Sequence, residues 1–204
     1  MKKSTPDQIL DAAERHFAER GFAAASLGEI ADDVGIRTPS LYKHFESKQA
    51  LYHAVLKRLL DPYFEMLSTL LVPPTDEKQA LRNLETVVRF YYRTPNLARV
   101  VQYATLAGGE EVDQLLRDWF DPFFRRAAQL TLATPALRGS GPRDFLYLVM
   151  AFHNMMSGYV TMASLHERLL GQDPLGDDAR ESHLAFLKQL AKILWKVPPR
   201  RRRK

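Results

Sequence analysis

The sequence predicts an all-α protein, with an N-terminal three-helix headpiece containing a helix-turn-helix and a larger C-terminal helical bundle. Three observations carry this. Apolar residues recur at the 3.6-residue helical period through nearly every segment, prolines and glycines cut the chain into helix-length pieces, and no alternating strand pattern, repeat or low-complexity tract occurs.

The first helix opens with Thr5-Pro6-Asp7-Gln8: a cap, a proline at the first helical position, an acid that suits the helix dipole and a Gln at the capping-box position. Ile9, Leu10, Ala13 and Phe17 form its apolar face, and Gly21 ends it, with Phe22 folding back onto Phe17. Ser26 caps the second helix, and Glu29, three residues on, completes a capping box. Leu27, Ile30, Ala31 and Val34 make one buried stripe, while Asp32 and Asp33 point away. Gly35 then supplies the positive φ needed to reverse the chain.

Thr38 is the next cap and Pro39 the first position of a third helix running to about Phe45. Leu41 and Phe45 share its inner face. Ser40, Lys43 and His44 share the outer one, so a hydroxyl, an ammonium and an imidazole project together. Such a face can hydrogen-bond base edges and phosphates from the major groove of DNA; it can equally be a solvated helix surface.

Ser47 caps a long fourth helix through Leu51, Val55 and Leu59 to about Leu71, with Pro62 expected to kink it. Pro73-Pro74 marks a boundary. A helix from Thr75 to Tyr92 follows, closed by Thr94-Pro95, and Gly108-Gly109 splits the next pair of segments. Breaks at Thr134-Pro135, at Gly139-Ser140-Gly141-Pro142 and over 171–176 leave two long helices, roughly 143–170 and 178–196. The expected organisation is therefore a headpiece over 1–47, a connecting helix over 48–72, a helical bundle over 73–197 and a basic, disordered tail over 198–204.

At 204 residues and 46% hydrophobic content the chain can bury a sizeable core. It has no cysteine, which excludes disulfide and thiolate chemistry and fits a cytoplasmic location. Met1-Lys2-Lys3 leads straight into a capped amphipathic helix, so no signal peptide is expected. The longest uncharged stretch, Phe145 to Leu165, is interrupted by His153, Asn154, Ser157 and Gly158, so no membrane span is expected either. The net charge of +5 belongs entirely to Arg200, Arg201, Arg202, Arg203 and Lys204; without them 24 basic residues face 24 acidic ones. Overall charge thus says nothing about DNA. The tail either adds sequence-blind attraction to DNA through counterion release or only solubilises the chain end.

The first 55 residues nevertheless carry a dense pattern: Phe-Ala-Glu-Arg-Gly-Phe, then Ser-Leu-Gly-Glu-Ile-Ala, then Gly-Ile-Arg-Thr-Pro-Ser-Leu-Tyr-Lys-His-Phe-Glu-Ser-Lys, then Leu-Tyr. This resembles the tetracycline-repressor (TetR) family of transcription regulators. The resemblance implies DNA contacts by Ser26, Arg37, Thr38, Pro39, Ser40, Tyr42, Lys43, His44 and Lys48. Tyr42 and Lys48 would hold phosphates. Arg37, Thr38, Ser40, Lys43 and His44 would meet base edges, and Pro39 a thymine methyl.

No HExxH, GxSxG or P-loop pattern occurs and the six histidines lack paired-ligand spacing, so an enzyme, a metal and a cofactor are not expected. His153-Asn154, on an otherwise apolar helix, is either a satisfied buried pair or part of a pocket. The resemblance places this helix beside an effector pocket, with Tyr92, Tyr103, Trp119, Phe123, Phe152, His153 and Asn154 as candidates for its lining. The last two helices present wide apolar faces, including Phe145, Phe152, Met156, Tyr159, Leu187 and Leu194, which suit either a four-helix dimer interface or burial within one chain. The expectation is a homodimeric repressor that binds a palindromic operator in double-stranded DNA and leaves it when a small-molecule effector binds. The alternative is a helical protein-interaction module that keeps the headpiece.

Overall fold

The computed structural model describes residues 4–72, 74–133 and 142–195, without the side chains of residues 130–133, 142–146, 148, 149, 194 and 195. Its described residues contain helices and no strand. The headpiece comprises α1 (Thr5–Ala24), α2 (Leu27–Val34) and α3 (Thr38–Tyr42). The body comprises α5 (Glu77–Arg93), α6 (Pro95–Ala107), α7 (Gly109–Leu115), a π-helical turn (Leu116–Phe120), α8 (Asp121–Ala133), α9 (Pro142–Thr161), α10 (Ala163–Leu170) and α11 (Asp177–Trp195). Between them α4 (Lys48–Thr69) belongs to both.

The caps differ from the sequence expectation in instructive ways. Ser4, not Thr5, caps α1, its hydroxyl accepting from the Asp7 amide. Ser26 occupies the cap position of α2 but its side chain makes no capping bond, and the reciprocal bond expected from the Glu29 carboxylate is replaced by a pair with the Arg20 guanidinium. A charge-assisted bond outcompetes a neutral amide for that carboxylate. At α3 the extended residue is Arg37, so Thr38 is already helical and the cap position falls one residue earlier than expected. Regular α3 ends at Tyr42, yet the His44 and Phe45 amides both donate to the Leu41 carbonyl, which carries one more turn through Lys43 and His44.

Further along, Ser47 caps α4 by accepting from the Ala50 amide, as its sequence position implies, and α4 continues as one helix through Pro62. Asp76, rather than Thr75, caps α5. The expected helix over 143–170 is two, because Met162 leaves helical geometry between α9 and α10. The Thr134-Pro135 and 139–141 breaks, and the basic tail, lie outside the described residues.

One continuous core runs through both halves. Ile9, Phe17, Ile30, Leu41 and Leu51 are fully buried beneath the headpiece, and Val88, Tyr91, Leu97 and Met156 fill the body. The leading part of α4 packs Tyr52 edge-on to Phe17, ring centroids 5.0 Å apart, while its trailing part sends Tyr63 and Phe64 against Tyr91 and Phe123.

Two glycines have distinct backbone roles. Gly35 sits in the left-handed region at φ 72°, ψ 30° and reverses the chain between α2 and α3, its amide donating to the Asp32 carbonyl at 3.0 Å. Gly21, at φ 74°, breaks α1 one turn before its end and lies against the body: a Cβ there would stand 2.9 Å from Tyr103 Cδ1 of α6. The Tyr103 hydroxyl in turn donates to the Glu19 carbonyl at 2.8 Å. Gly21→Ala therefore meets both backbone strain and a side-chain clash, and should cost about 2–3 kcal/mol of stability. Adding Tyr103→Ala should relieve the clash and leave roughly 1–2 kcal/mol of strain, a coupling readable in a double-mutant cycle by chemical denaturation.

Candidate functional site

The surface of the helix-turn-helix is built by the Gly35 turn, which delivers α3 with Leu41 inward and its other side chains outward. Leu41 is fully buried, whereas Arg37, Pro39, Tyr42, Lys43 and His44 are exposed and Thr38 and Ser40 half-buried on the same side. Tyr42, half exposed as a large aromatic, has no core to enter and a hydroxyl free to meet an anion. Ser26, with its hydroxyl released from capping, is exposed at the start of α2.

Electrostatics sharpen this face. Two of the carboxylates of α2 pair with α1: Glu29 with Arg20, and Asp33 with Arg15 at 3.4 Å and His16 Nε2 at 3.0 Å. The His16 hydrogen bond, with help from Arg15, holds the Asp33 carboxyl below its usual range. Arg37 and Lys43 have no ion-pair partner among the described residues, so their charge is left for an external anion. Lys48 is placed differently from the others. Its ammonium donates to the Ala23 carbonyl at 3.1 Å and lies 4.8 Å from the centre of the Phe22 ring, which ties the start of α4 to the end of α1. Partial burial lowers its pKa, and an ammonium with three protons still keeps donors for a phosphate.

A second feature lies in the body, a cavity of about 500 Å³ between α4, α6, α7, the π-helical turn, α8 and α9. Of the residues expected there, His153 and Asn154 line it, whereas Tyr92, Tyr103, Trp119, Phe123 and Phe152 are not among its lining residues. Each of those five is engaged elsewhere. The Tyr92 hydroxyl meets His183 Nδ1 at 2.6 Å, Tyr103 faces α1, the Trp119 indole donates to Asp61 on α4 at 2.8 Å, Phe123 packs on Phe64, and Phe152 sits at the edge of the core. The lining that sequence reasoning missed includes Tyr63, Phe64, Leu67, Gln102 and Thr105, and Phe120 and Phe124 of the aromatic run 119–124 join it. These come from separate helices, and only tertiary packing assembles them; the i, i+4 spacing of Phe120 and Phe124 was the one local hint.

The candidate dimer residues also divide. Met156 (0% exposed) and Leu187 (2%) are buried within the single chain, and Phe152 and Tyr159 are half-buried, with the Tyr159 hydroxyl donating to the Pro174 carbonyl. The side chains of Phe145 and Leu194 lie outside the described residues. The apolar surface of α9 and α11 is carried instead by Tyr147, Ala151 and Met155 and by Phe186 and Ile193. Helical period alone marks two apolar stripes on such helices and does not say which one faces inward. Among the described residues no group of side chains suited to a metal is present, and no helix is long and apolar enough to cross a membrane.

Comparison with known proteins decides what the headpiece is. Residues 9–55 match the family described as bacterial regulatory proteins, tetR family. The headpiece is that of the TetR family. Over 75 residues it is 45% identical to the HTH-type transcriptional activator FasR of Mycolicibacterium smegmatis, covering 37% of this chain and 34% of that protein. Over 85 residues it is 35% identical to the HTH-type transcriptional repressor KstR2 of Rhodococcus jostii, 42% of each chain. These alignments span well under half of either relative, whereas likeness of fold extends much further. A TetR family transcription regulator from Marinobacter aquaeolei superposes with a TM-score of 0.61 at 23% identity, over 92% of this chain and 93% of that one. Both of these relatives are named transcriptional regulators.

The body holds two half-buried histidines whose charge is disfavoured. Burial lowers the pKa of His153, and burial aided by nearby His166 lowers that of His183, below the ordinary 6.5. Each is held neutral when folded and protonates more easily when unfolded. The stability they contribute is therefore complete above pH 6.5 and lost as pH falls through the lower folded values. The melting temperature should drop between about pH 7.5 and about pH 5.5, and drop less in the double variant His153→Gln/His183→Gln. Equal falls in the two proteins would show that these histidines do not set the acid response.

Proposed function

We propose that the chain is a homodimeric, ligand-responsive transcriptional repressor that binds a palindromic operator in double-stranded DNA and releases it when a small molecule occupies the body cavity. The observation that carries this reading is the joining of two features by one helix. The start of α4 is fixed to the headpiece, which presents unpaired cations and hydrogen-bonding side chains, and its later residues Tyr63, Phe64 and Leu67 line the cavity. A ligand changes DNA affinity only through differential affinity for the two body states, and a shared helix is the element through which those states differ at the headpiece.

In this reading Tyr42 and Lys48 hold phosphates and fix register. Arg37, Thr38, Ser40, Lys43 and His44 meet base edges, Pro39 a thymine methyl, and Ser26 the backbone at the start of α2. One headpiece offers a small interface, so a second copy makes the second contact intramolecular and raises affinity without any new kind of contact. The exposed strip Tyr147, Ala151 and Met155 on α9, with Phe186 and Ile193 on α11, is the surface assigned to pairing of the two copies, and the protein acts where the chromosome is, in the cytoplasm.

Selection from a pool of random duplexes should recover a palindrome whose half-sites are separated by about one helical turn or a multiple of it. Phe186→Glu/Ile193→Glu should sediment as a monomer and lose cooperative binding to both half-sites. His44→Ala should change base preference, while Lys48→Ala should weaken binding to all sequences by about tenfold or less. Recovery of no palindrome at low salt favours the interaction-module alternative.

A further inference from the structure

The wall of the body cavity is specific enough in its chemistry to select a class of ligand. We propose that the cavity, taken as the effector site assigned above, holds an uncharged, mainly apolar molecule bearing a hydrogen-bond acceptor such as a ketone or ester carbonyl, and that this acceptor docks on the Nε2–H of His153.

The lining excludes ions. Leu67, Val101, Leu106, Phe120 and Phe124 supply apolar wall, Gln102, Thr105, Asn154, Ser157 and Thr161 supply neutral polar groups, and no Asp, Glu, Lys or Arg lines it among the described residues. An ionised ligand group would shed water there and meet no opposite charge. A space of about 500 Å³ lies within the ordinary range for a small organic ligand.

The imidazole is oriented by a chain of hydrogen bonds that begins on α4. Tyr63 Oη lies 3.0 Å from Tyr91 Oη, and Tyr91 Oη lies 2.6 Å from His153 Nδ1. One proton arrangement leaves the spare donor on the half-buried imidazole and none on the buried hydroxyls: Tyr63 donates to Tyr91, Tyr91 donates to Nδ1, and the imidazole proton sits on Nε2. In the reverse arrangement Nδ1–H donates to Tyr91 and Tyr91 to Tyr63, which leaves the buried Tyr63 proton with no acceptor among the described residues. Nε2 has no protein partner in this set, and His153 lines the cavity, so a single neutral N–H donor is left for a ligand. Burial keeps the ring uncharged, which supports a neutral partner over a carboxylate. Tyr91 is then a positioning residue, since it acts on the ligand only by fixing the tautomer of His153.

Calorimetric titration of the full chain with four probes of one length tests this: 2-undecanone, 1-undecene, undecanoate and undecylammonium. The ketone should bind about tenfold more tightly than the alkene or either ion, the ordinary worth of one buried hydrogen bond. His153→Phe should bring the ketone down to the alkene and leave the alkene unchanged. In Tyr91→Phe the imidazole ¹⁵N shifts of His153 should move from the Nε2–H form to a mixture of tautomers, a change that mere loosening of the core does not produce. The proposal is overturned if an ion binds as tightly as the ketone, if ketone and alkene bind alike, or if none of the four binds. The wild-type comparison decides this even where a variant fails to fold. If the ketone binds through His153 while operator affinity stays unchanged, the ligand class stands and the effector reading of the cavity fails.

Discussion

The rest of the molecule depends on how one guanidinium is held. Arg58, midway along α4, donates to Asp11 Oδ1 at 2.8 Å and to the Leu10 carbonyl at 2.9 Å, and it pairs with Glu14, all on α1. Glu14 also accepts from Asn96 Nδ2 at the start of α6, 2.9 Å away. Three helices from both halves thus meet at a half-buried polar node. Partly buried charged pairs of this kind are worth about 1–3 kcal/mol when one partner is truncated, because the carboxylates left behind lose their counter-charge. Apolar packing resists sliding only weakly in some directions; a multidentate guanidinium fixes the direction as well. With Tyr103 bonded to Glu19 and Lys48 to Ala23, α1 is held at its middle and at its end, so the headpiece follows α4 and α6 as one body.

That geometry explains how a cavity distant from α3 has leverage on it. The same helix that carries Arg58 carries Tyr63, whose hydroxyl starts the chain to Tyr91 and His153, and Asp61, which accepts from the Trp119 indole beside the π-helical turn. A packed interior has discrete arrangements and not a continuum of them. In the proposed regulator, a ligand that rearranges the cavity wall acts on the headpiece by biasing where α4 rests.

The headpiece was legible in the sequence because its signals are local. Gly35, Pro39, Ser47 and the i, i+4 pair Leu41 and Phe45 each act within one turn of the chain, and they placed α2, α3 and the start of α4. The capping box expected at α2 failed because Glu29 found a long-range partner in Arg20, which nothing at its own position announces, while the caps of α1 and α3 fall one residue earlier than their sequence signals placed them. The body resisted reading for the same reason on a larger scale. Tyr91 and Tyr92 are neighbours in sequence yet bond to different histidines on different helices, His153 and His183, and only tertiary placement separates them. Met156 and Leu187 matched an apolar stripe and proved to be its inward one, while the outward stripe belongs to Tyr147, Phe186 and Ile193. The net positive charge, sited wholly in the tail, was uninformative; what matters electrostatically is that α1 pairs with Glu29 and Asp33 of α2 while Arg37 and Lys43 have no ion-pair partner among the described residues.

The central claim, that cavity and headpiece are coupled through α4, is tested most directly by the distance between the two headpieces of the proposed dimer. The chain has no cysteine, so Asp32→Cys on the exposed face of α2 gives one spin label per protomer without background. Dipolar electron spin resonance should show a single distance distribution that shifts by on the order of a few Å when 2-undecanone fills the cavity, in step with loss of operator binding. An unchanged distribution in protein that has bound ligand and released DNA would contradict coupling through α4.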